Sequence, residues 1–281
     1  MDSFMKISLL VNTCDAFEDC WDPFFALFKK YWPDFDGVIY LNTETKSYAY
    51  PGLDIVPLRV AGIKNLGPFG LTWSECLIDA LGLIDDDVIL YMQEDYFLRD
   101  YVKSDLVMKY LRLIKEDGGI GCIHLTDQGT PPDVTREKKH ELYPGDIAHR
   151  DLLSCQAAFW KKEVLVKCLK PSESGWQFEE YGSKRARYLD LGIYTPDRSY
   201  IRKDVFELLP YVFTGIVQGR WKREVTTLFE ANGIRMDFSK RGFIDEAKPL
   251  TVFERIVRKI KRFPTRVVNY KDVFTLRLFK R

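Results

Sequence analysis

The chain has 281 residues, 46% of them hydrophobic and 30% charged, enough to bury a full core as one large α/β domain. That composition excludes a disordered or fibrous chain, and no window approaches the roughly 18 uninterrupted apolar residues of a membrane span. The net charge of +1 is uneven: residues 252–281 hold ten Lys or Arg against two acids, a balance of +8, which leaves −7 on residues 1–251 and points to an anionic partner for the tail.

In chain order, Ile7 to Val11 reads as a buried first strand with the polar exit Asn12-Thr13-Cys14-Asp15. Asp22 is expected to cap a helix with Pro23 at its first position, Phe24, Leu27, Phe28 and Tyr31 on the inner face, and Pro33 beyond its end. Val38 to Leu41 is a second strand leaving through Asn42-Thr43-Glu44, and Ile55 to Val60 a weaker third. Thr72 and Glu75 stand at capping-box spacing before a helix with Trp73, Cys76, Leu77, Ala80 and Leu81, closed by Gly82. Val88 to Leu98 (VILYMQEDYFL) is too short for a buried helix and rich in β-formers, so it reads as a buried strand that ends in Gln93-Glu94-Asp95. A helix opened by Ser104 and a strand over Ile120 to Leu125 follow. Thr126 to Asp151 is a long polar loop, Gln156 to Leu169 a strand running into a helix, Trp176 to Asp190 a helix or loop, and Trp221 to Ala231 a helix closed by Gly233.

Strands alternating with helices through residue 125 predict an α/β fold with a mostly parallel, Rossmann-type sheet flanked by helices and a less regular second half. The expected division is one domain over 1–250, with a nucleotide-binding half (1–125) and an acceptor-side half (126–250), followed by a basic tail over 251–281. In such sheets ligands bind beyond the carboxyl ends of the strands, which places Glu94 and Asp95 at the ligand edge and Asp85 to Asp87 at the opposite one. The competing reading of Glu94 and Asp95 is a solvated strand exit. Six cysteines without a C-x-x-C pair read as reduced thiols, and the N-terminus lacks the basic region and apolar stretch of a signal peptide. A cytoplasmic location is expected. The three histidines have no metal spacing, so zinc is not expected.

The segments ISLLVNTCD, WSECLIDALGLIDDDVILYMQEDYFL and SCQAAFWKKEVLVKCL…SGWQFEEYGSKRA together resemble the GT-A fold of nucleotide-sugar-dependent glycosyltransferases, over roughly residues 5 to 190. The nearest likeness is to small bacterial enzymes of surface-polysaccharide and lipopolysaccharide assembly. The resemblance implies transfer of a sugar from a nucleotide-sugar donor to a glycan or lipid-linked acceptor. It also implies a divalent cofactor, Mn or Mg, because a nucleoside-diphosphate leaving group develops negative charge that a hard cation offsets. Asp95 is the preferred metal ligand, with Glu94 a second or water-mediated contact. The motif departs from the family pattern of two aspartates flanking one residue, since Gln93 leads it.

The acceptor hydroxyl needs a base, and Trp176-Gln177-Phe178-Glu179-Glu180 offers one: apolar neighbours beside a carboxylate raise its pKa. By resemblance Glu179 is the acceptor-side acid, although a Glu in a first helical turn also simply favours the helix dipole. Trp176, Glu180 and His124 are assigned to the acceptor side, and Asn12, Thr13, Asn42, Trp73, Gln93 and Arg220 to the donor. Trp73 has a core alternative through Cys76 and Leu77, His124 a structural one, and Arg220 that of a surface helix start.

Residues 252–264 place Val252, Phe253, Ile256, Val257 and Ile260 at helical spacing among five cations, a pattern suited to an anionic membrane surface. That arrangement would make the protein peripheral at the inner face of the cytoplasmic membrane, with docking onto its own acidic body as an alternative. Nucleic acid is not an expected partner, because the body is acidic and carries no nucleic-acid module. Two other classes compete: a nucleotidyltransferase, for which NTCDAFEDC after the first strand is unsuitably acidic, and a non-catalytic binding protein that kept the fold.

Overall fold

The computed structural model describes residues 5–68, 70–246, 270–271 and 273–278. Eight strands, β1 (Ile7–Asn12), β2 (Gly37–Asn42), β3 (Ile55–Pro57), β4 (Val88–Gln93), β5 (Cys122–His124), β6 (Tyr143–Pro144), β7 (Ala158–Lys161) and β8 (Ile193–Thr195), form one sheet in the order β3-β2-β1-β4-β7-β5-β8-β6. The pairs β1–β2, β1–β4, β2–β3 and β5–β8 are parallel. Strand β7 is antiparallel to both β4 and β5, and β6 is antiparallel to β8. The α/β class follows from the alternation of strands and helices, and the irregular half adds strands to this sheet, with β7 wedged into its middle, beside one separate two-stranded hairpin.

Around the sheet, the described residues before 247 include the helices α1 (Trp21–Tyr31), α2 (Val60–Ile63), α3 (Trp73–Leu83), α4 (Ser104–Glu116), α5 (Lys162–Cys168), α6 (Gly175–Gln177), α7 (Ser183–Ala186) and α8 (Glu224–Ala231). Helices α1 and α4 bury Phe24, Phe28, Val107 and Leu111 against Leu9, Val11, Leu90 and Met92 on one face. On the other face Leu77, Leu81 and Leu165 of α3 and α5 meet Leu10, Ile89, Tyr91 and Trp160. A strand covered on both faces reads as an unbroken apolar run, which is what VILYM shows.

Several local expectations change. A 3-10 turn over Asp15–Cys20 precedes α1, so Cys20 rather than Asp22 is the cap. Asp22 instead accepts the Tyr48 hydroxyl at 2.7 Å, and Pro23 sits in the first helical turn, where an amide has no partner to lose. The Thr72–Glu75 capping box forms as read, and α3 runs one residue past Gly82. Trp221 is not helical: β9 (Ile216–Val217) and β10 (Arg220–Trp221) make a hairpin. Its two loop residues, Gln218 at φ 53° and Gly219 at φ 78°, have the positive φ pair of a tight hairpin turn. Residues 175–186 are helical throughout, with a π turn over Phe178–Gly182 between α6 and α7. The basic segment 252–264 lies outside the described residues.

A buried ion pair fixes that helical stretch to the end of α5 and the loop after it. Arg185 donates from Nη1 and Nη2 to the two oxygens of Glu173 at 2.7 and 2.6 Å and from Nη2 to the Cys168 carbonyl at 2.9 Å, with both side chains almost wholly buried. Removing one partner strands the other charge in the core. Glu173→Ala is expected to lose about 3–5 kcal/mol in chemical denaturation, and the double replacement Glu173→Met with Arg185→Met distinctly less. Equal losses in the two variants would contradict this account of the pair.

Candidate functional site

The carboxyl ends of β2, β1 and β4 line up in register, so that Asn42, Asn12 and Gln93 form a row of three amides on the α3 face. Asn42 Nδ2 donates to Asn12 Oδ1 at 2.7 Å, and both Asn12 Nδ2 and Gln93 Nε2 donate to the Tyr91 hydroxyl at 3.2 Å. The row continues under the second half. The Tyr96 hydroxyl lies 2.9 Å from Gln93 Oε1 and accepts from Gln156 Nε2 at 3.0 Å, and Tyr211 donates to Gln156 Oε1 at 2.9 Å. Asn12 and Asn42 are buried and tied to each other, whereas Gln93 is half-buried. Thr13 is also turned inward, its hydroxyl accepting the Trp21 indole N–H at 3.0 Å.

The two acids that follow Gln93 are 8% and 6% exposed, which rules out a solvated strand exit. Burial, and next the neighbouring Asp95, push the Glu94 carboxyl well above the ordinary glutamate range. The Asp95 carboxyl is raised by burial too, against hydrogen bonds that favour its charged form. Those bonds come from the second half: the Thr214 hydroxyl and the Ile216 amide donate to Asp95 Oδ2 at 2.6 and 3.0 Å, and the Gly215 amide donates to the Asp95 carbonyl at 3.0 Å. A Cβ on Gly215 would stand 2.4 Å from the Phe97 ring, so only glycine lets this strap lie so close.

The charge of Arg241 favours the ionised form of the Glu94 carboxyl. Its guanidinium forms a bidentate pair with Asp19, through Nε at 2.7 Å and through Nη2, and Nη2 also donates to the Ala16 carbonyl at 2.6 Å. On the first-strand side, Cys14 is pushed up to about 11 by burial and then by Glu94. Cys20 moves the same way through burial, with Glu94 next in weight. The pair therefore lies between the exit of β1 and the 214–243 segment. Asp15 and Glu44 lock the exits of β1 and β2 together: Asp15 Oδ1 accepts the Glu44 amide at 2.9 Å, and Glu44 Oε2 accepts the Asp15 amide at 3.1 Å.

Glu179 sits in the π turn, and its Oε1 accepts the Cys155 amide at 2.8 Å. Burial raises its pKa above the usual glutamate value, against the Cys155 amide, which lowers it. The Cys155 thiol in turn meets the Tyr91 hydroxyl, so Glu179 connects through one residue to the amide row. Glu180 is exposed and pairs with Lys184 at 2.9 Å. Trp176 is 73% exposed. Trp73 packs on Phe178 with ring centroids 5.8 Å apart, which gives it a structural job on the Glu179 turn. Arg220 is exposed on the hairpin and donates to the Arg241 carbonyl at 3.3 Å. His124 is fully buried beside Trp160 with both ring nitrogens unpartnered, and so presents no surface to an acceptor. Sequence reading missed Arg241, Asp19 and Thr214, since no local spacing marks a contact between residues 222 apart.

The donor set suits a hard cation only in its simplest form. Glu94 and Asp95 supply carboxylate oxygens, and among the described residues no group of three His, Cys, Asp or Glu could hold a metal ion by itself. A magnesium-type site of one or two carboxylates, completed by substrate phosphates and water, needs no more protein ligands than these.

No family model matches the sequence, and no curated protein matches it. Among solved structures the chain is similar to glucosyl-3-phosphoglycerate synthase from Mycobacterium tuberculosis in complex with Mn2+, UDP-glucose and glycerol 3-phosphate, at 13% identity and a TM-score of 0.45 over 82% of this chain and 81% of that one. It is also similar to residues 1–349 of TarS from S. aureus, at 12% identity and a TM-score of 0.41, covering 68% of this chain and 58% of that one, less than two thirds of its length. A third similar structure is mannosyl-3-phosphoglycerate synthase from Rubrobacter xylanophilus, at 12% identity and a TM-score of 0.38 over 69% and 65% of the two chains.

The buried imidazole of His124 gives a pH prediction. Burial lowers its pKa from 6.5 to about 3, so as pH falls through that interval the unfolded chain takes up a proton that the folded chain refuses. Its neutral form therefore costs nothing above 6.5, and stability drains as pH falls toward 3. His124→Phe is expected to flatten this acid limb, by up to about 1.4 kcal/mol per pH unit, in urea denaturation at a series of pH values. A limb as steep as that of the parent would contradict the assignment.

Proposed function

We propose that the chain is a glycosyltransferase that moves a sugar from a nucleoside-diphosphate sugar to a hydroxyl of a glycan or lipid-linked acceptor. The observation that carries the reading is the buried Glu94–Asp95 pair at the carboxyl end of β4, raised by burial, with the charge of Arg241 favouring the ionised Glu94. Two adjacent carboxyls in low dielectric call for positive charge, and the carboxyl edge of a parallel strand is where an α/β sheet receives a nucleotide. Asp95 and Glu94 would hold a divalent ion, Mn or Mg, whose bound chemistry is to offset charge on the departing diphosphate.

The remaining roles belong to the chain itself. Gln93 stands in the row at the donor edge, with an amide that can accept and donate where the family pattern has an acid. Arg220, on the hairpin next to Arg241, supplies a second cation on the diphosphate side. In an inverting displacement the acceptor oxygen attacks the anomeric carbon, the bond to the diphosphate breaks, and Glu179 takes the hydroxyl proton. Its raised pKa suits that work, because a base is most effective when its pKa approaches the working pH. Trp176 and Glu180 stand exposed on the same stretch, on the acceptor side. The cationic balance of residues 252–281 accords with an acceptor presented at the inner face of a bacterial cytoplasmic membrane in surface-polysaccharide assembly.

Calorimetric titration with a panel of nucleotide sugars, with and without manganese, is expected to show binding of an intact nucleotide sugar. Preference for a free triphosphate would favour a nucleotidyltransferase, and no binding would favour a non-catalytic protein. Glu179→Gln is expected to keep donor binding and lose turnover by about 100-fold or more, as removal of a general base does. In the parent, turnover should rise with pH through an apparent pKa above the ordinary 4.5 of glutamate, because the deprotonated carboxyl is the active form. Retained turnover in Glu179→Gln would remove that residue from the mechanism.

A further inference from the structure

Residues 270–271 and 273–278 are helical, and among the described contacts an aromatic clamp joins them to the body. Tyr270 lies edge-on to Tyr181 with centroids 5.7 Å apart, and Lys184 Nζ donates to the Tyr270 hydroxyl at 3.2 Å while standing 4.7 Å from both ring centroids. Lys184 also holds Glu180, so the clamp is built on the helical stretch that carries Glu179. Beyond it Tyr270, Phe274 and Leu278 follow at four-residue spacing, 47%, 60% and 55% exposed. One helix face thus presents a stripe of large apolar side chains to solvent. Lys271 and Arg277 are exposed on the same helix. On the stretch that carries the clamp, Trp176 is 73% exposed.

We propose that the Tyr270–Phe274–Leu278 face, with Trp176 on the adjoining stretch, is a contact surface for an anionic lipid bilayer. The charge of this end of the chain chooses the occupant. Four cations against one acid over residues 270–281 would repel the same segment of a second copy, and they match a surface of anionic head groups. An apolar stripe bordered by Lys and Arg is the pattern of a helix lying in the interface, and a tryptophan is at home at head-group level. The surface is distinct from residues 252–264. It rests on the transferase reading in one respect: binding there would set the acceptor-side stretch against the membrane, where a lipid-linked hydroxyl is presented.

The test is sedimentation of the full chain with vesicles of phosphatidylglycerol and phosphatidylcholine, or of phosphatidylcholine alone, without nucleotide sugar. Binding to the anionic vesicles, weakened by salt, is expected, and about a tenfold loss in either Phe274→Ser/Leu278→Ser or Lys271→Glu/Arg277→Glu. Unchanged binding by these variants, no binding by the parent, or equal binding to neutral vesicles would overturn the proposal. A concentration-dependent dimer broken by Phe274→Ser/Leu278→Ser would assign the stripe to a second copy instead. Nucleotide-sugar titration of the same variants without vesicles separates the two claims: donor binding without vesicle binding defeats only the lipid surface, and its absence from the parent defeats the transferase reading.

Discussion

Two carboxyls that follow each other along the backbone at the end of a buried strand repel, and burial removes the water that would screen them. Glu94 and Asp95 are in that position, and much of the second half of the chain is organised around the consequence. The 214–216 strap donates to Asp95, and Arg241 brings a guanidinium toward Glu94 while itself held by Asp19. Asp19 belongs to the turn after β1, so the same contacts close the later segment onto the first strand. An interaction that looks unfavourable when taken alone becomes the point where the two halves meet.

The amide row supplies a second element of order. Asn42, Asn12, Gln93, Gln156 and the hydroxyls of Tyr91, Tyr96 and Tyr211 bond to one another across the ends of three strands, the segment before β7 and the 211 segment. Such a network holds the strand ends rigidly beneath the acidic pair. It reaches Cys155, and through Cys155 the Glu179 turn, so the Glu179 carboxyl and the Glu94–Asp95 pair share one support. The buried Arg185–Glu173 pair secures the far end of that turn.

What was legible in the sequence is what depends on near neighbours. The strands β1, β2 and β4, the capping box of α3 and the position of Glu94 and Asp95 at a strand's carboxyl end all follow from local periodicity and turn chemistry. Burial raises the Glu179 pKa in the expected direction, while Trp176, one of the apolar neighbours on which that expectation rests, is largely exposed. Contacts made at long range were not legible. Trp221 has the look of a helix start, yet the Gln218-Gly219 turn puts it in a hairpin buried against Phe97 and Phe229. His124 was read from its place at a strand end, but β7 and the loop through Gly129 cover it. Arg241 gives no local signal, because its role depends on Asp19 far back in the chain.

Under the proposed function, the Glu94–Asp95 pair takes up a divalent cation together with a diphosphate. Electron paramagnetic resonance of Mn2+ tests it most directly, by following the free-ion signal as protein is added with and without a nucleoside diphosphate. The parent chain is expected to deplete free Mn2+ when the diphosphate is present, and Asp95→Asn is expected not to. Equal depletion by both proteins, or none by the parent, would contradict it.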